Sequence, residues 1–154
     1  MKYNSIRRMD ISNGPGIRVS LFTQGCDIHC KGCFNYKLWN FKNGKEFTDK
    51  TINKIIELCN SEHIKGLSIL GGEPLSMVNL KDLEKLIITF KTTYPTKDIW
   101  LWTGYIYENL NDAQKHLVSL VDVLVDGPFI KELADPTLQF RGSKNQRILI
   151  KAGH

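Results

Sequence analysis

The chain lacks the features that mark membrane-bound and exported proteins. None of its apolar runs approaches 18 residues, the length at which a run is read as a membrane-spanning helix. The first residues, Met1 to Arg8, are polar and basic and hold no apolar core of the kind that a signal peptide has. We therefore expect no membrane contact and a cytoplasmic location, where cysteine thiols stay reduced and serve metals or catalysis.

Blocks of one charge are also absent. The net charge is +5, from 21 Lys and Arg against 16 Asp and Glu, and the basic residues are scattered. This balance suits an acidic or nucleotide partner but gives little support to nucleic-acid binding, which we do not expect. With 42% apolar residues in a chain of 154, the sequence predicts one globular domain over residues 1–154 with a substantial core.

Cysteine is scarce, yet three of the four cysteines fall within eight residues. Cys26, Cys30 and Cys33 have the spacing C-x3-C-x2-C. A span of eight residues is about 28 Å long at most, so a loop of this length lets three thiolates converge. Three thiolates can hold three irons of a cubane iron–sulfur cluster and leave the fourth iron open, and an open coordination position is where a metal centre does chemistry.

Zinc is the main alternative metal for this loop. Cys26, His29, Cys30 and Cys33 together supply four nitrogen and sulfur ligands of the type that zinc accepts. Adjacent ligands such as His29 and Cys30 are unusual for zinc, whose ligands come as C-x2-C pairs with about 12 or more residues between the pairs. A disulfide with one free thiol would suit an exported protein, for which the sequence gives no sign.

Hydrophobic periodicity predicts strands that alternate with helices. The strands are expected at 17–23, 66–70, 98–105, 121–129 with its turn and 148–150, and the helices at 48–60, 80–94 and 106–120. This order predicts an α/β protein with a mainly parallel sheet. Because a complete eight-unit barrel takes about 250 residues, the chain has room only for a partial, open barrel. Cys59 falls on the apolar face of the first helix, where core packing is expected.

Several polar or glycine-containing motifs come directly after predicted strands. Gly71-Gly72-Glu73-Pro74 follows the second strand, where glycines let the backbone approach a ligand and Glu73 offers a carboxylate to an ammonium group. An ordinary strand-to-helix turn, with Pro74 starting the helix, is the alternative. Phe34 stands beside Cys33, in a position to cover a cluster, to stack on an adenine or to join the core.

Two further segments allow more than one interpretation. Asp126, at a strand end, either faces the site or caps its own turn, and we expect the turn. The segment 141–147, with Arg141 and Lys144, either contacts a phosphate or carboxylate or forms a solvated loop.

Together the motifs resemble those of the radical S-adenosylmethionine (radical SAM) enzymes. C-x3-C-x2-C without a fourth cysteine nearby is similar to their cluster loop, and Gly71 to Pro74 is similar to the motif that holds the amino end of their cofactor. More narrowly, the chain resembles the activating proteins of anaerobic (class III) ribonucleoside-triphosphate reductases. That likeness lies in residues 13–18, 102–105, 126–129 and 141–143, and in Gly32, where most radical SAM enzymes carry an aromatic residue. Phe34 is placed to supply the missing ring.

The resemblance implies a fold, a reaction and its participants. The fold would be a partial, open radical SAM βα barrel. Cys26, Cys30 and Cys33 would bind a 4Fe–4S cluster whose fourth iron holds S-adenosylmethionine. Reductive cleavage of that cofactor would give a 5′-deoxyadenosyl radical, which takes a hydrogen atom from a glycine of the reductase. No side chain of the chain need act as a general acid or base. The cofactor contacts implied are Gly32, Cys33, Phe34, Gly71, Gly72 and Glu73.

The implied partners are the large subunit of the reductase and a one-electron donor such as a flavodoxin. The alternatives are another glycyl-radical enzyme or a small molecule as the substrate, or a zinc-stabilised binding module in place of an enzyme.

Overall fold

The arrangement of strands and helices follows from a computed structural model, which describes residues 1–33 and 36–154. The strands in these ranges are β1 (Lys2–Asp10), β2 (Ile17–Thr23), β3 (Lys45–Glu46), β4 (Ile64–Gly71), β5 (Asp98–Trp102), β6 (Val123–Asp126) and β7 (Arg147–Ile150). The α-helices are α1 (Asp49–Leu58), α2 (Leu80–Thr93) and α3 (Asp112–Ser119). None of the helices so described is long and apolar enough to cross a membrane.

One mixed sheet joins the strands in the order β3-β1-β2-β4-β5-β6-β7. The four middle strands, β2, β4, β5 and β6, run parallel to one another. The outer strands are antiparallel, β1 against β2 and β3 on one side and β7 against β6 on the other. The predicted α/β class is confirmed, and the parallel part is the middle of the sheet. The predicted alternation of strands and helices along the whole chain is wrong at both ends.

Two of the helices, α1 and α3, begin where the sequence supplies capping groups. At the start of α1, Thr51 Oγ1 accepts a hydrogen bond from the backbone N–H of Thr48, 3.1 Å away. At the start of α3, Asn111 accepts a hydrogen bond from the backbone N–H of Gln114, 2.8 Å away. The third helix therefore starts later than the predicted 106–120, because residues 107–109 form a separate 3₁₀ turn before the cap.

All three helices pack on one face of the sheet. Alternate residues of the parallel strands, such as Leu67, Leu101 and Leu124, join helix residues in one core, which also buries Cys59 as predicted. The opposite face carries a smaller aromatic cluster around Trp100 and Trp102, whose ring centroids lie 5.7 Å apart. These two tryptophans share a face, as alternate residues of a strand do, and the strand predicted at 98–105 ends at Trp102.

A buried arginine crosses this second face. Arg18 is fully buried, and its guanidinium donates to Ser68 Oγ at 2.7 Å and pairs with Asp98 at 2.7 Å. It also donates to the carbonyl oxygen of Pro15, while Ser68 Oγ donates to the carbonyl oxygen of Asn13. These bonds hold the turn between β1 and β2 against the sheet.

Candidate functional site

The site lies at the carboxyl ends of the parallel strands. In an open α/β sheet this edge carries the loops that bind ligands. Backbone bonds join the loop after β2 to the loop after β4: the N–H of Glu73 donates to the carbonyl oxygen of Gly25 at 2.7 Å, and the N–H of Gly72 donates to that of Thr23 at 3.0 Å. The cysteine loop and the glycine-containing loop are therefore fixed side by side.

A cavity of about 380 Å³ opens between these loops. Its wall contains most of the predicted site residues: Cys26, Cys30, Cys33, Gly71, Gly72 and Glu73. Gly32 is absent from the wall and sits in a turn with φ 76°, facing the side chain of Lys131. Phe34 lies outside the described residues. The structure thus brings together six of the eight predicted positions.

The cysteine thiols occupy one side of the cavity. Cys26 is buried, and Cys30 and Cys33 are half-buried. Burial raises the pKa of the Cys26 and Cys30 thiols above the ordinary value. Backbone N–H groups oppose this by donating to the sulfurs, those of His29 and Ile28 to Cys26 and that of Phe129 to Cys30. Such donors favour a thiolate, the form that binds metals.

The donor set of the cavity suits an iron–sulfur cluster. Three sulfurs from one short loop face one cavity, and thiolates are the ligands that iron–sulfur clusters take. Across residues 1–33 and 36–154, no three or more His, Cys, Asp or Glu side chains are grouped so that they could hold a metal ion. This finding concerns a site for a single metal ion, whereas the three cysteines of a cubane cluster each bind a different iron.

His29 is not among the residues that line the cavity. Its ring stacks on Trp39, with the ring centroids 4.5 Å apart and the planes 12° from parallel. The backbone of His29 has φ 53°, a left-handed conformation that is uncommon for a residue other than glycine. Since the imidazole is not part of the cavity wall, the geometry argues against the four-ligand zinc alternative.

Glu73 supplies a buried carboxylate to the cavity wall. The side chain is 1% exposed, and its Oε1 accepts a hydrogen bond from the backbone N–H of Gly104 at 2.7 Å. Its Oε2 accepts from Thr103 Oγ1 at 2.7 Å and from the backbone N–H of Leu75 at 2.9 Å. Burial raises the pKa of Glu73 to about 7 despite these three donors. A cation bound beside it would therefore interact with a carboxylate held in a fixed position.

The two glycines before Glu73 are needed where the loops meet. Gly71 has φ 122°, and a Cβ there would collide with the backbone of Thr23. A Cβ on Gly72 would collide with the backbone of Gly25. The sequence suggested that these glycines let the backbone approach a ligand, whereas the contacts show them letting the end of β4 approach the cysteine loop.

Comparison with known proteins agrees with this arrangement. The family model of a 4Fe-4S single cluster domain matches residues 12–149. A protein of Vibrio cholerae named anaerobic ribonucleoside-triphosphate reductase-activating protein is 46% identical over 150 residues, which cover 96% of this chain and 97% of that protein. Proteins of the same name are 45% identical in Escherichia coli K12 (95% and 96% covered) and 41% identical in enterobacteria phage T4 (96% and 93% covered).

This chain belongs to the family of anaerobic ribonucleoside-triphosphate reductase-activating proteins. The 4Fe-4S match begins before the cysteine loop and ends within β7, so it spans every strand that contributes to the cavity.

In this activating-protein chain, the cavity wall also includes residues that were not among the predicted site positions. They are Ser12, Asn13, Ile28, Leu70, Trp102, Thr103, Gly104, Gly127, Phe129, Leu138, Phe140, Arg141, Gly142 and Gln146. The position of Thr103 and Gly104 directly after a parallel strand was a signal for them. Arg141 comes from a distant loop, for which the sequence gave only the two open interpretations.

Asp126 and Lys144 are not part of the wall. The Asp126 carboxylate pairs with Arg147 at 2.5 Å and accepts a hydrogen bond from the backbone N–H of Tyr107 at 2.9 Å. It therefore joins β6 to β7 and to the loop after β5, instead of capping its own turn as expected. Lys144 is exposed to solvent.

Proposed function

We propose that this protein activates an anaerobic ribonucleoside-triphosphate reductase by generating a glycyl radical on the reductase large subunit. One observation carries the proposal: in a chain of this family, the three thiols of C-x3-C-x2-C and the buried carboxylate of Glu73 line the same cavity. The thiols suit a 4Fe–4S cluster, and the carboxylate suits the ammonium group of S-adenosylmethionine.

Each predicted residue has a part in this scheme. Cys26, Cys30 and Cys33 would hold three irons of the cluster, and Glu73 would hold the ammonium group of the cofactor. Gly32, Gly71 and Gly72 would keep the surrounding loops close to the cofactor, and Phe34 is proposed as a cover for it. When bound, the cluster and S-adenosylmethionine would supply the radical chemistry, by one-electron cleavage of the cofactor.

The sheet suits a substrate that is itself a protein. Parallel strands β2, β4, β5 and β6 with helices on one face support an open portion of a radical SAM βα barrel, formed by one domain over residues 1–154. We propose that the reductase covers the open face while its glycine is activated. A one-electron donor such as a flavodoxin would reduce the cluster, in the reducing conditions of the cytoplasm.

Anaerobic reconstitution with iron and sulfide tests the proposal. The dithionite-reduced protein should give the electron paramagnetic resonance signal of a reduced cubane, and S-adenosylmethionine should change that signal. The same protein should then produce a glycyl radical on the reductase. Cys26→Ala should abolish the cubane signal. Tightly bound zinc with no cluster would refute the enzyme and leave a structural metal site.

A further inference from the structure

The cavity wall pairs one anionic side chain with one cationic side chain. Apart from the cysteines, the ionisable residues that line it among the described residues are Glu73 and Arg141. We propose that Arg141 binds a carboxylate, namely that of the aminoacyl end of S-adenosylmethionine. This inference rests on the proposed function and assigns a second cofactor-binding side chain to it.

The loop that carries Arg141 is tightly built. Gln146 Oε1 accepts hydrogen bonds from the backbone N–H groups of Gly142 at 2.7 Å and Ser143 at 3.1 Å. Gln146 Nε2 donates to the carbonyl oxygen of Gly127 at 3.0 Å, just after β6. Arg141 itself donates from Nη1 to the carbonyl oxygen of Gln146 at 2.8 Å. The guanidinium is therefore tethered at one nitrogen and fixed to the edge of the sheet that carries the cavity.

The residue before Arg141 is held in an unfavourable conformation. Phe140 has φ 62°, in the left-handed region that costs free energy for a residue with a side chain. The conformation is retained because Phe140 is held from both sides. Its carbonyl oxygen accepts from Trp102 Nε1 at 2.7 Å, and its ring packs on Trp100 with centroids 5.3 Å apart. Phe140 and Arg141 both line the cavity, so the strained backbone lies at the wall itself.

The guanidinium of Arg141 has an N–H group that lacks a hydrogen-bond partner among the described residues. Its Nε is buried and has no hydrogen-bond partner within the described part of the chain. Leaving a buried donor unpaired is costly, and the N–H groups of an arginine are arranged to meet a carboxylate with two parallel bonds. A carboxylate ligand in the cavity beside Arg141 would supply the missing partner after a turn of the side chain that brings the buried Nε to the cavity.

The charged groups of the cofactor match the charges of Glu73 and Arg141. The aminoacyl end of S-adenosylmethionine carries an ammonium and a carboxylate on the same carbon. Glu73 is suited to the ammonium and Arg141 to the carboxylate, so the two side chains together would fix the orientation of that end. A carboxylate on the reductase is the other source of the same chemistry.

The test removes the Arg141 side chain and the carboxylate of the ligand, separately and together, and compares the effects on binding. Equilibrium dialysis would measure the dissociation constants of S-adenosylmethionine and of its decarboxylated form, with the cluster-loaded protein kept oxidised so that no cleavage occurs. Arg141→Met should weaken binding of S-adenosylmethionine by about tenfold or more, the effect of losing hydrogen bonds to a charged group. It should change binding of the decarboxylated form by less than about twofold, because the interacting group is missing there.

Two further variants make the result decisive. Arg141→Lys keeps the charge without the paired N–H groups and should recover part of the affinity. Lys144→Met removes an exposed cation of the same loop and should leave both dissociation constants unchanged. Iron content and circular dichroism establish that each variant is folded and loaded.

The failure of this inference differs from the failure of the proposed function. Equal weakening of both ligands by Arg141→Met, or no weakening of either, would overturn the assignment of the carboxylate. Unchanged binding together with lost reductase activation would place the carboxylate on the reductase and overturn it as well. If the cluster-loaded wild-type protein did not bind S-adenosylmethionine, the proposed function itself would fall.

Discussion

At the scale of single residues, the role proposed for Glu73 predicts that cofactor binding depends on pH. Burial raises its pKa to about 7, so below that pH the carboxyl is mostly protonated and offers no charge to an ammonium group. Binding of S-adenosylmethionine should therefore tighten as pH rises. The dissociation constant should fall by about fivefold between pH 6 and 7 and by about twofold more between pH 7 and 8, as the carboxylate fraction approaches one. Equilibrium dialysis of the cluster-loaded protein between about pH 6 and 8 would measure this.

The control for this prediction is Glu73→Gln, which keeps the shape of the side chain and removes its ionisation. Its binding should be weaker and nearly independent of pH. If the variant showed the same slope as the wild type, another group would be responsible for the pH dependence.

Cys59 differs from the other three cysteines in its surroundings. It is fully buried in the main core, and burial raises its pKa to about 12, so its thiol stays protonated at neutral pH. Cys59→Ala should lower the free energy of unfolding by about 1 to 2 kcal/mol, because a small buried group is lost, and should leave the iron content unchanged. Urea unfolding and iron analysis would check both. A loss of iron comparable to that of Cys26→Ala would show that Cys59 serves the cluster.

His29 provides the contrast between iron and zinc. Its ring stacks on Trp39 and is not part of the cavity wall, so His29→Ala should keep the cluster in anaerobically reconstituted protein. Metal analysis of the purified variant would measure iron and zinc per chain. A variant that lost its metal while the wild type held zinc would restore the four-ligand zinc site.

At the scale of elements, the sequence predicted best the segments that have one buried face. The apolar period placed α2 within one residue of Leu80–Thr93, and β2 has the predicted bounds. The sequence did not predict β1 (Lys2–Asp10). This strand lies next to the edge strand of the sheet, most of its residues are half-buried or exposed, and polar residues fall on both of its faces. The short β3 is exposed at both of its residues and has no hydrophobic pattern.

The buried Arg18 joins three strands, and its loss should destabilise the sheet. Arg18 on β2 bonds to Ser68 on β4 and pairs with Asp98 at the start of β5. Arg18→Met should lower the free energy of unfolding by about 3 kcal/mol, because it leaves buried polar groups without a partner. Lys85→Met is the matched control, since Lys85 pairs with Asp49 at the same 2.7 Å on the surface. That change should cost under about 1 kcal/mol in urea unfolding, and equal effects would refute a special role for the buried pair.

At the scale of the whole molecule, the parts of the site that could be predicted are those set by local spacing. The three cysteines lie in one loop, and Glu73 follows the neighbouring parallel strand, so the strand-edge rule brings them together. Arg141 reaches the cavity through a long connection after β6, and its placement depends on the contacts of Gln146 and Phe140. Such long-range packing leaves no periodic signal, which is why this side of the cavity emerged only from the fold.

The two faces of the sheet should respond differently to the reductase. Helices cover one face, whereas the cavity on the other side is bounded by the cysteine loop and by the loop from 127 to 146. If the reductase binds over the cavity, amide hydrogen exchange should slow in these two loops when it is added, and iron loss to a chelator should slow with it. Exchange in α1 and α2 should stay the same, which serves as the internal control. Protection confined to those helices would place the reductase on the wrong face for the proposed reaction, since a radical formed in the cavity could not reach a glycine bound there.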